Sequence, residues 1–99
     1  NDAALDVIRL LPRTEVLAVT TPSVIAHSVL ERSLELYKSL KVPVLGVIAN
    51  MERGAFSRPE AFAGRVRYDA ALESALGDPA KILKTDFAKD LAKIAAALF

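Results

Sequence analysis

Apolar residues recur along the chain with two different spacings, and each spacing predicts one kind of element. Residues 15–20 (EVLAVT) and 44–49 (VLGVIA) are mostly apolar runs whose length and β-branched content are typical of strands covered on both faces. Between them, apolar residues return every three or four positions, which predicts a helix from Thr21 and Pro22 to about Leu40. Thr21 is expected to cap this helix, with Pro22 in its first turn.

This strand–helix–strand unit spans about 35 residues and predicts a right-handed crossover between two parallel strands. Shorter segments extend it: a helix over residues 2–11, a third strand over residues 65–68 (RVRY), and a helix over residues 69–76 that Gly77 ends. The last helix carries one apolar stripe, formed by Phe87, Leu91, Ile94 and Leu98.

Loop and cap signals separate these elements. Residues 52–64 predict a loop, in which residues 59–62 are expected to form one helical turn. Asp78 is expected to cap a short helical segment, and Thr85 or Asp86 to cap the last helix. No repeat or linker divides the chain, so the sequence predicts one α/β domain, with a parallel sheet of about three strands flanked by helices.

Composition excludes several classes of site. The net charge of +1 gives no strong field that would attract nucleic acid or an acidic membrane. The chain has no cysteine and one histidine, which excludes disulfides, thiolate metal sites and histidine-rich metal sites. Its apolar runs are far shorter than the roughly 20 residues of a membrane span, and its first residues do not form a signal peptide. A cytoplasmic protein is therefore expected.

The chain offers one conspicuous polar residue at a strand end. Ligands of open parallel sheets bind where the strands end at their carboxyl side. Asn50 follows the second strand directly, and its carboxamide carries a donor and an acceptor on one planar group. Asparagine pairs with adenine in this way in DNA recognition, so one interpretation is purine binding. The other is that Asn50 caps the strand and orders the next turn, with Met51 packing beside it.

Other polar residues also have two interpretations. Thr20 and Thr21 can bind phosphate or water, or can cap the following helix. Tyr68 and Asp69 can form a third strand end at the same edge, or a strand end and a helix cap without a ligand. His27, inside the long helix, is expected to be a structural histidine. The lysines of the C-terminal segment are expected to form a solvated helix face: Lys81, Lys84, Lys89 and Lys93.

No phosphate-binding or catalytic motif accompanies these residues. The chain has no GxxxxGK[ST] loop, and its four glycines are widely separated. It also has no pairing of nucleophile and base and no convincing pair of carboxylates. The residues alone therefore indicate half of a nucleotide-binding α/β fold, with no catalytic and no metal-ligating residue.

Longer stretches of the sequence resemble a known family. The segments VLAVTTP and YKSLKVPVLGVIANM, followed by VRYDAALESAL in place of an IPYDPxLxxA pattern, resemble the C-terminal half of MinD/ParA-type P-loop ATPases. Within that branch the chain looks most like the Mrp (ApbC) type, which carries iron–sulfur clusters. The resemblance implies a partial P-loop NTPase, Rossmann-like fold. It also implies that residues 1–99 are one domain, the C-terminal part of an ATPase domain whose P-loop is elsewhere.

The resemblance also implies a base pocket. In the family, the asparagine that matches Asn50 contacts the adenine of ATP, next to the residue that matches Met51. The backbone that matches Arg67, Tyr68 and Asp69 forms the other side of the pocket. In this sequence Arg67 stands where the family usually has a proline.

The complete family protein uses ATP and Mg²⁺, but this chain alone is expected to bind nucleotide weakly and not to hydrolyse it, because the phosphate loop is absent. The loop ERGAFSRPEAFAGRV lacks the family's cysteine pair, so no iron–sulfur cluster is expected here. The expected partners are a second copy or a half that carries the P-loop. The alternative function is an interaction or oligomerisation module that binds no nucleotide.

Overall fold

The computed structural model describes residues 2–53 and 62–99. Within these ranges the strands are β1 (Val16–Thr20), β2 (Val44–Glu52) and β3 (Gly64–Arg67). The helices are α1 (Asp2–Leu10), α2 (Val24–Ser39), α3 (Ala70–Ala75), α4 (Pro79–Ile82) and α5 (Asp86–Leu98). None of the helices in the described ranges is long and apolar enough to cross a membrane.

The described strands form one parallel sheet in the order β1-β2-β3. The α/β fold predicted from the sequence is thereby confirmed, including the third strand, which begins at Gly64 instead of residue 65. Because β2 lies in the centre and all strands run the same way, their carboxyl ends meet at one edge of the sheet.

The helix that connects β1 to β2 begins later than predicted. Ser23, not Thr21, is its cap: Ser23 is extended (φ −146°, ψ 154°), and its hydroxyl accepts a hydrogen bond from Ala26 N at 3.0 Å. Pro22 therefore lies before the helix, where its fixed φ favours the turn out of β1. At the other end, Lys41 adopts a φ of 58° and ends the helical run.

The later helices begin as the sequence predicts. Asp69 caps α3, and Asp78 caps α4. Thr85, and not Asp86, caps α5 by accepting a hydrogen bond from Ala88 N at 3.2 Å. The predicted turn at residues 59–62 falls largely outside the described residues.

The core lies between the sheet and α5. Ile48 of β2, Val66 of β3 and Ile94 of α5 are buried against one another, and Phe87 and Leu98 pack onto them. Val66 is only 1% exposed. Leu91, the remaining residue of the predicted stripe on α5, is 40% exposed. The backbone of β3 passes so close to α5 that a Cβ atom at Gly64 would collide with the Ile94 side chain.

Truncation of Ile94 tests this core. We expect Ile94→Ala to reduce the free energy of unfolding by about 2–5 kcal/mol, because it removes buried apolar contacts and leaves a cavity. Urea unfolding followed by circular dichroism measures the loss. If the alanine variant does not fold, Ile94→Val should still show a loss of about 0.5–1.5 kcal/mol.

Ile25 provides a matched control, since it is 79% exposed near the start of α2. Ile25→Ala should change the free energy of unfolding by no more than about 0.5 kcal/mol. Equal losses at Ile25 and Ile94 would contradict the assignment of the core.

Candidate functional site

Strand β2 carries one residue more than β3 at the carboxyl edge of the sheet. Ala49 pairs with Arg65, and the next pair is Glu52 with Arg67, so three steps along β2 match two steps along β3. This is a β-bulge at residues 50–51. The predicted end of the strand at residue 49 is therefore wrong, because the bulge absorbs the extra residue and lets pairing continue to Glu52.

The bulge places Asn50 and Met51 in an unusual backbone setting. Met51 has a φ of 56°, in the left-handed region that a residue with a side chain rarely adopts. Such strain persists only where the surrounding structure enforces it, and bulges often redirect a side chain beside a binding site. A hydrogen bond from Tyr68 N to Glu52 O, 3.0 Å long, holds the strand beyond the bulge.

A cavity of about 270 Å³ lies at this bulge, between the ends of β2 and β3 and the helices α3 and α5. The structure brings all the sequence-predicted site residues to its lining: Asn50, Met51, Arg67, Tyr68 and Asp69. Sequence reasoning missed the other lining residues, which are Leu72, Glu73, Leu76 and Phe87. The spacing of Leu72 and Leu76 along one helix face was the available signal for two of them.

The Asn50 side chain is half-buried in this lining. Within the described residues, its carboxamide makes no hydrogen bond with protein atoms. A role in ordering the next turn would use such a bond. Neither the donor nor the acceptor of the Asn50 carboxamide is used by another described residue.

Asp69 joins two walls of the cavity. Its Oδ1 accepts a hydrogen bond from Ala71 N at 2.9 Å, which caps α3, and its Oδ2 accepts one from Phe87 N at 3.2 Å, which fixes the first turn of α5. Both oxygens are therefore committed to backbone amides. Asp69 shapes the cavity by position, as the helix-cap interpretation of this residue anticipates.

Arg67 is fixed by α5. Its Nε and Nη2 donate to Oδ2 and Oδ1 of Asp90, each at 2.9 Å, and its backbone N donates to Oδ2 at 3.0 Å. Asp86 Oδ2 lies 3.8 Å from Nη1. The Arg67 hydrogen bonds hold the pKa of Asp90 below its ordinary value despite the burial of this carboxylate, which is 8% exposed.

Tyr68 contacts a residue that lies outside the cavity lining. The guanidinium carbon of Arg53 lies 3.9 Å from the centroid of its ring, a cation–π contact. Arg53 is not part of the cavity lining, so one face of the ring is covered by arginine while Tyr68 still borders the cavity. Neither Arg53 nor Asp90 could be found from periodicity. Arg53 contacts Tyr68, and Asp90 contacts Arg67, so each contact joins residues that are far apart in sequence.

The remaining candidates do not join this site. Thr20 is buried, and its hydroxyl donates to Thr21 O at 3.4 Å. His27 is buried in α2 with its ring edge-on to Phe62 at 5.8 Å between centroids, as expected of a structural histidine. The four lysines of the C-terminal segment are exposed. Among the described residues, no group of histidine and acidic side chains is arranged to hold a metal ion.

A larger cavity, of about 430 Å³, lies between β1 and α2. It is lined by consecutive residues of β1 and by the apolar side of α2, and none of the described residues that line it is charged. It also lies away from the bulge and from the ends of β2 and β3. The smaller cavity, with converging polar groups and apolar walls, is the better candidate for a ligand site.

A parallel α/β sheet with a cavity at its carboxyl edge is the arrangement in which open α/β proteins bind their ligands. The ParA family model, described as NUBPL iron-transfer P-loop NTPase, matches residues 1–63. The chain therefore belongs to this family of P-loop NTPases, a class that binds ATP. The match contains the β2 side of the cavity and ends before β3.

A comparison with one curated relative agrees with this assignment. The chain is 34% identical over 51 residues to the iron–sulfur cluster carrier protein of Helicobacter pylori. The aligned segment covers 52% of this chain and 14% of that relative, so the chain spans only a small part of the relative's length.

The contact between Arg67 and Asp90 gives stability a defined pH dependence. A carboxylate whose pKa is lowered by folding stabilises the protein above the ordinary carboxyl pKa of about 4, and this contribution is lost as the pH falls through the lower, folded value. We therefore expect Asp90→Asn to be less stable than wild type by a constant amount between about pH 5 and 8. Below about pH 4 the difference should shrink.

Urea unfolding at a series of pH values measures this difference. Asp6→Asn, at an exposed position of α1, serves as a matched control and should differ little from wild type at any pH. A difference between Asp90→Asn and wild type that does not change below pH 4 would show that the stabilisation is not electrostatic.

Proposed function

We propose that these residues form the adenine-binding side of an Mrp/NUBPL-type ATP-binding protein, with the base in the 270 Å³ cavity. The observation that carries the proposal is the uncommitted carboxamide of Asn50, placed by a strained bulge at the carboxyl end of the central strand. Membership in a P-loop NTPase family supports the same ligand class.

The chemistry of the lining suits a purine base. A carboxamide can accept a hydrogen bond from the adenine amino group and donate one to a neighbouring ring nitrogen. Leu72, Leu76 and Phe87 supply apolar surface for the faces of the base. The volume lies just below the roughly 300–1,000 Å³ of sites for whole drug-sized ligands, so it fits a base better than an entire nucleoside triphosphate.

The proposal assigns orientation, and not hydrolysis, to these residues. Phosphoryl transfer depends on a phosphate-binding loop and Mg²⁺ near the γ-phosphate, and no GxxxxGK[ST] motif occurs in the 99 residues. We assign phosphate and Mg²⁺ binding to a half that carries the P-loop. The chain also has no cysteine, so it supplies no thiolate ligand to an iron–sulfur cargo.

Titration with adenosine tests the role of Asn50. We expect adenosine to bind weakly and to shift backbone amide resonances around Asn50, Tyr68 and Leu72 in ¹⁵N–¹H NMR spectra of the isotope-labelled chain. Asn50→Asp has nearly the same shape but lacks the donor, so it should weaken binding by roughly tenfold, the lower range for a lost bidentate contact with a base.

Two comparisons complete this test. Inosine, which has an oxygen in place of the adenine amino group, should bind wild type more weakly than adenosine does. Ser39→Ala, at the end of α2, is a control that should leave adenosine binding unchanged. Equal affinities of wild type and Asn50→Asp for adenosine, or resonance shifts confined to the β1–α2 cavity, would overturn the proposed function.

A second candidate function is assembly without nucleotide, and the edge of the sheet favours it. Strand β1 pairs with β2 on one side only among the described strands, and its sequence VLAVT has no charge or proline to block pairing. Leu17 and Val19 are 37% and 59% exposed. A second copy suits this edge, because antiparallel pairing about Ala18 would place each Leu17 opposite a Val19.

Light scattering after size-exclusion chromatography tests this candidate. We expect wild type to form dimers or larger assemblies as its concentration rises. Val19→Lys should shift it towards monomer, since a charged residue on an edge strand opposes pairing. Leu83→Lys, at a position 74% exposed after α4, should not change the assembly. A wild-type monomer at high concentration would remove the support for this function.

A further inference from the structure

Arg67 borders the candidate base cavity, but its hydrogen-bond donors point to other partners. The Asp90 carboxylate accepts hydrogen bonds from Nε and Nη2 of Arg67 in a bidentate contact, and a third from the Arg67 backbone amide. Asp86 lies 3.8 Å from Nη1. The Arg67 side chain nevertheless remains 56% exposed. The Nε–Nη2 edge of the guanidinium is thus occupied, while much of the side chain stays accessible.

This geometry separates two roles that an arginine can have in a nucleotide site. An arginine that binds phosphate uses its N–H edge, usually through two parallel hydrogen bonds. The same group can also present its flat face to a planar ring, by stacking and cation–π attraction. In Arg67 the Nε–Nη2 edge is taken by Asp90, and Nη1 faces the carboxylate of Asp86. Two acidic groups therefore oppose a phosphate at this guanidinium, and its flat face is the part suited to a ligand in the cavity.

The charges around Arg67 favour the second role. Asp90 balances the positive charge directly, and Asp86 is close by. Lys89 offsets Asp86 in turn, at 3.8 Å between Nζ and Oδ1. The cluster therefore offers little net positive charge to a phosphate. A neutral heteroaromatic ring needs no such charge, and the lining of the cavity includes apolar and aromatic residues: Tyr68, Leu72, Leu76 and Phe87.

We propose that Arg67 stacks its guanidinium face on the purine base, and that Asp90 is the positioning residue that holds this face flat against the cavity. This inference rests on the proposed function, because it takes the ligand to be a purine. It assigns the side chain a role that a proline at the same position could not have.

Affinity measurements on Arg67→Lys test the stacking role. Lysine keeps the charge but loses the planar face. We expect Arg67→Lys to weaken adenosine binding by roughly three- to tenfold, from the size of a partly exposed cation–π contact. The affinity for ATP should fall by the same factor, because in this arrangement Arg67 contacts no phosphate. Arg65→Lys, on the same strand but outside the cavity lining, is the matched control and should bind like wild type.

Asp90→Asn tests the positioning role. It should also weaken adenosine binding, but it should add little in the Arg67→Lys background, since a residue that acts only through Arg67 has no effect once the guanidinium is gone. A purely structural Asp90 would lower affinity equally in both backgrounds. NMR spectra of each variant report on folding, and Arg67→Lys decides the inference alone if Asp90→Asn does not fold.

The remaining outcomes are separable. If adenosine does not bind wild type, the proposed function fails and this inference fails with it. If adenosine binds but Arg67→Lys binds it equally well, only the stacking role is overturned. If Arg67→Lys weakens the binding of ATP far more than that of adenosine, and also changes the salt dependence of ATP binding, Arg67 is a phosphate ligand and the inference is wrong.

Discussion

The extra residue in β2 is the constraint on which the carboxyl edge of the sheet depends. Without it, the step from Ala49 to Glu52 could not match the step from Arg65 to Arg67 on β3. The strained φ of Met51 accompanies this match, and continued pairing beyond the bulge holds it in place. Asn50 consequently lies inside a paired region of the central strand, at the border of a cavity, and not in a loose turn.

Long-range contacts then fix the other walls around this bulge. One carboxylate, Asp69, caps α3 and also accepts a hydrogen bond from the first turn of α5. A second carboxylate, Asp90, ties α5 to both the backbone and the side chain of Arg67. Below them, Ile94 packs on the sheet. The position of α5 therefore couples the core to the cavity, so a change in one is expected to affect the other.

The sequence predicts the parts of this arrangement that depend on local pattern. The apolar runs of β1 and β2, the helix between them and the caps at Asp69 and Asp78 all follow from residues close in sequence. The position of the candidate site at the ends of β2 and β3 could also be anticipated, because parallel strands place their carboxyl ends together.

The parts that could not be predicted depend on pairing across the fold. The bulge exists only relative to β3, and Asn50, Glu52 and Arg53 looked like the end of a strand. Asp90 reaches Arg67 across 23 residues of sequence, and on a helix it resembled any charged residue. The choice of Ser23 over Thr21 as a cap depends on how many residues the chain needs to turn out of β1.

The most direct measurement of the central claim is the set of intermolecular nuclear Overhauser effects between adenosine and the methyl-labelled chain. A base in the cavity predicts contacts from the adenine H2 and H8 protons to the Leu72 and Leu76 methyl groups and to the Tyr68 ring. Contacts to Leu17 and Val29, in the cavity between β1 and α2, would contradict the claim.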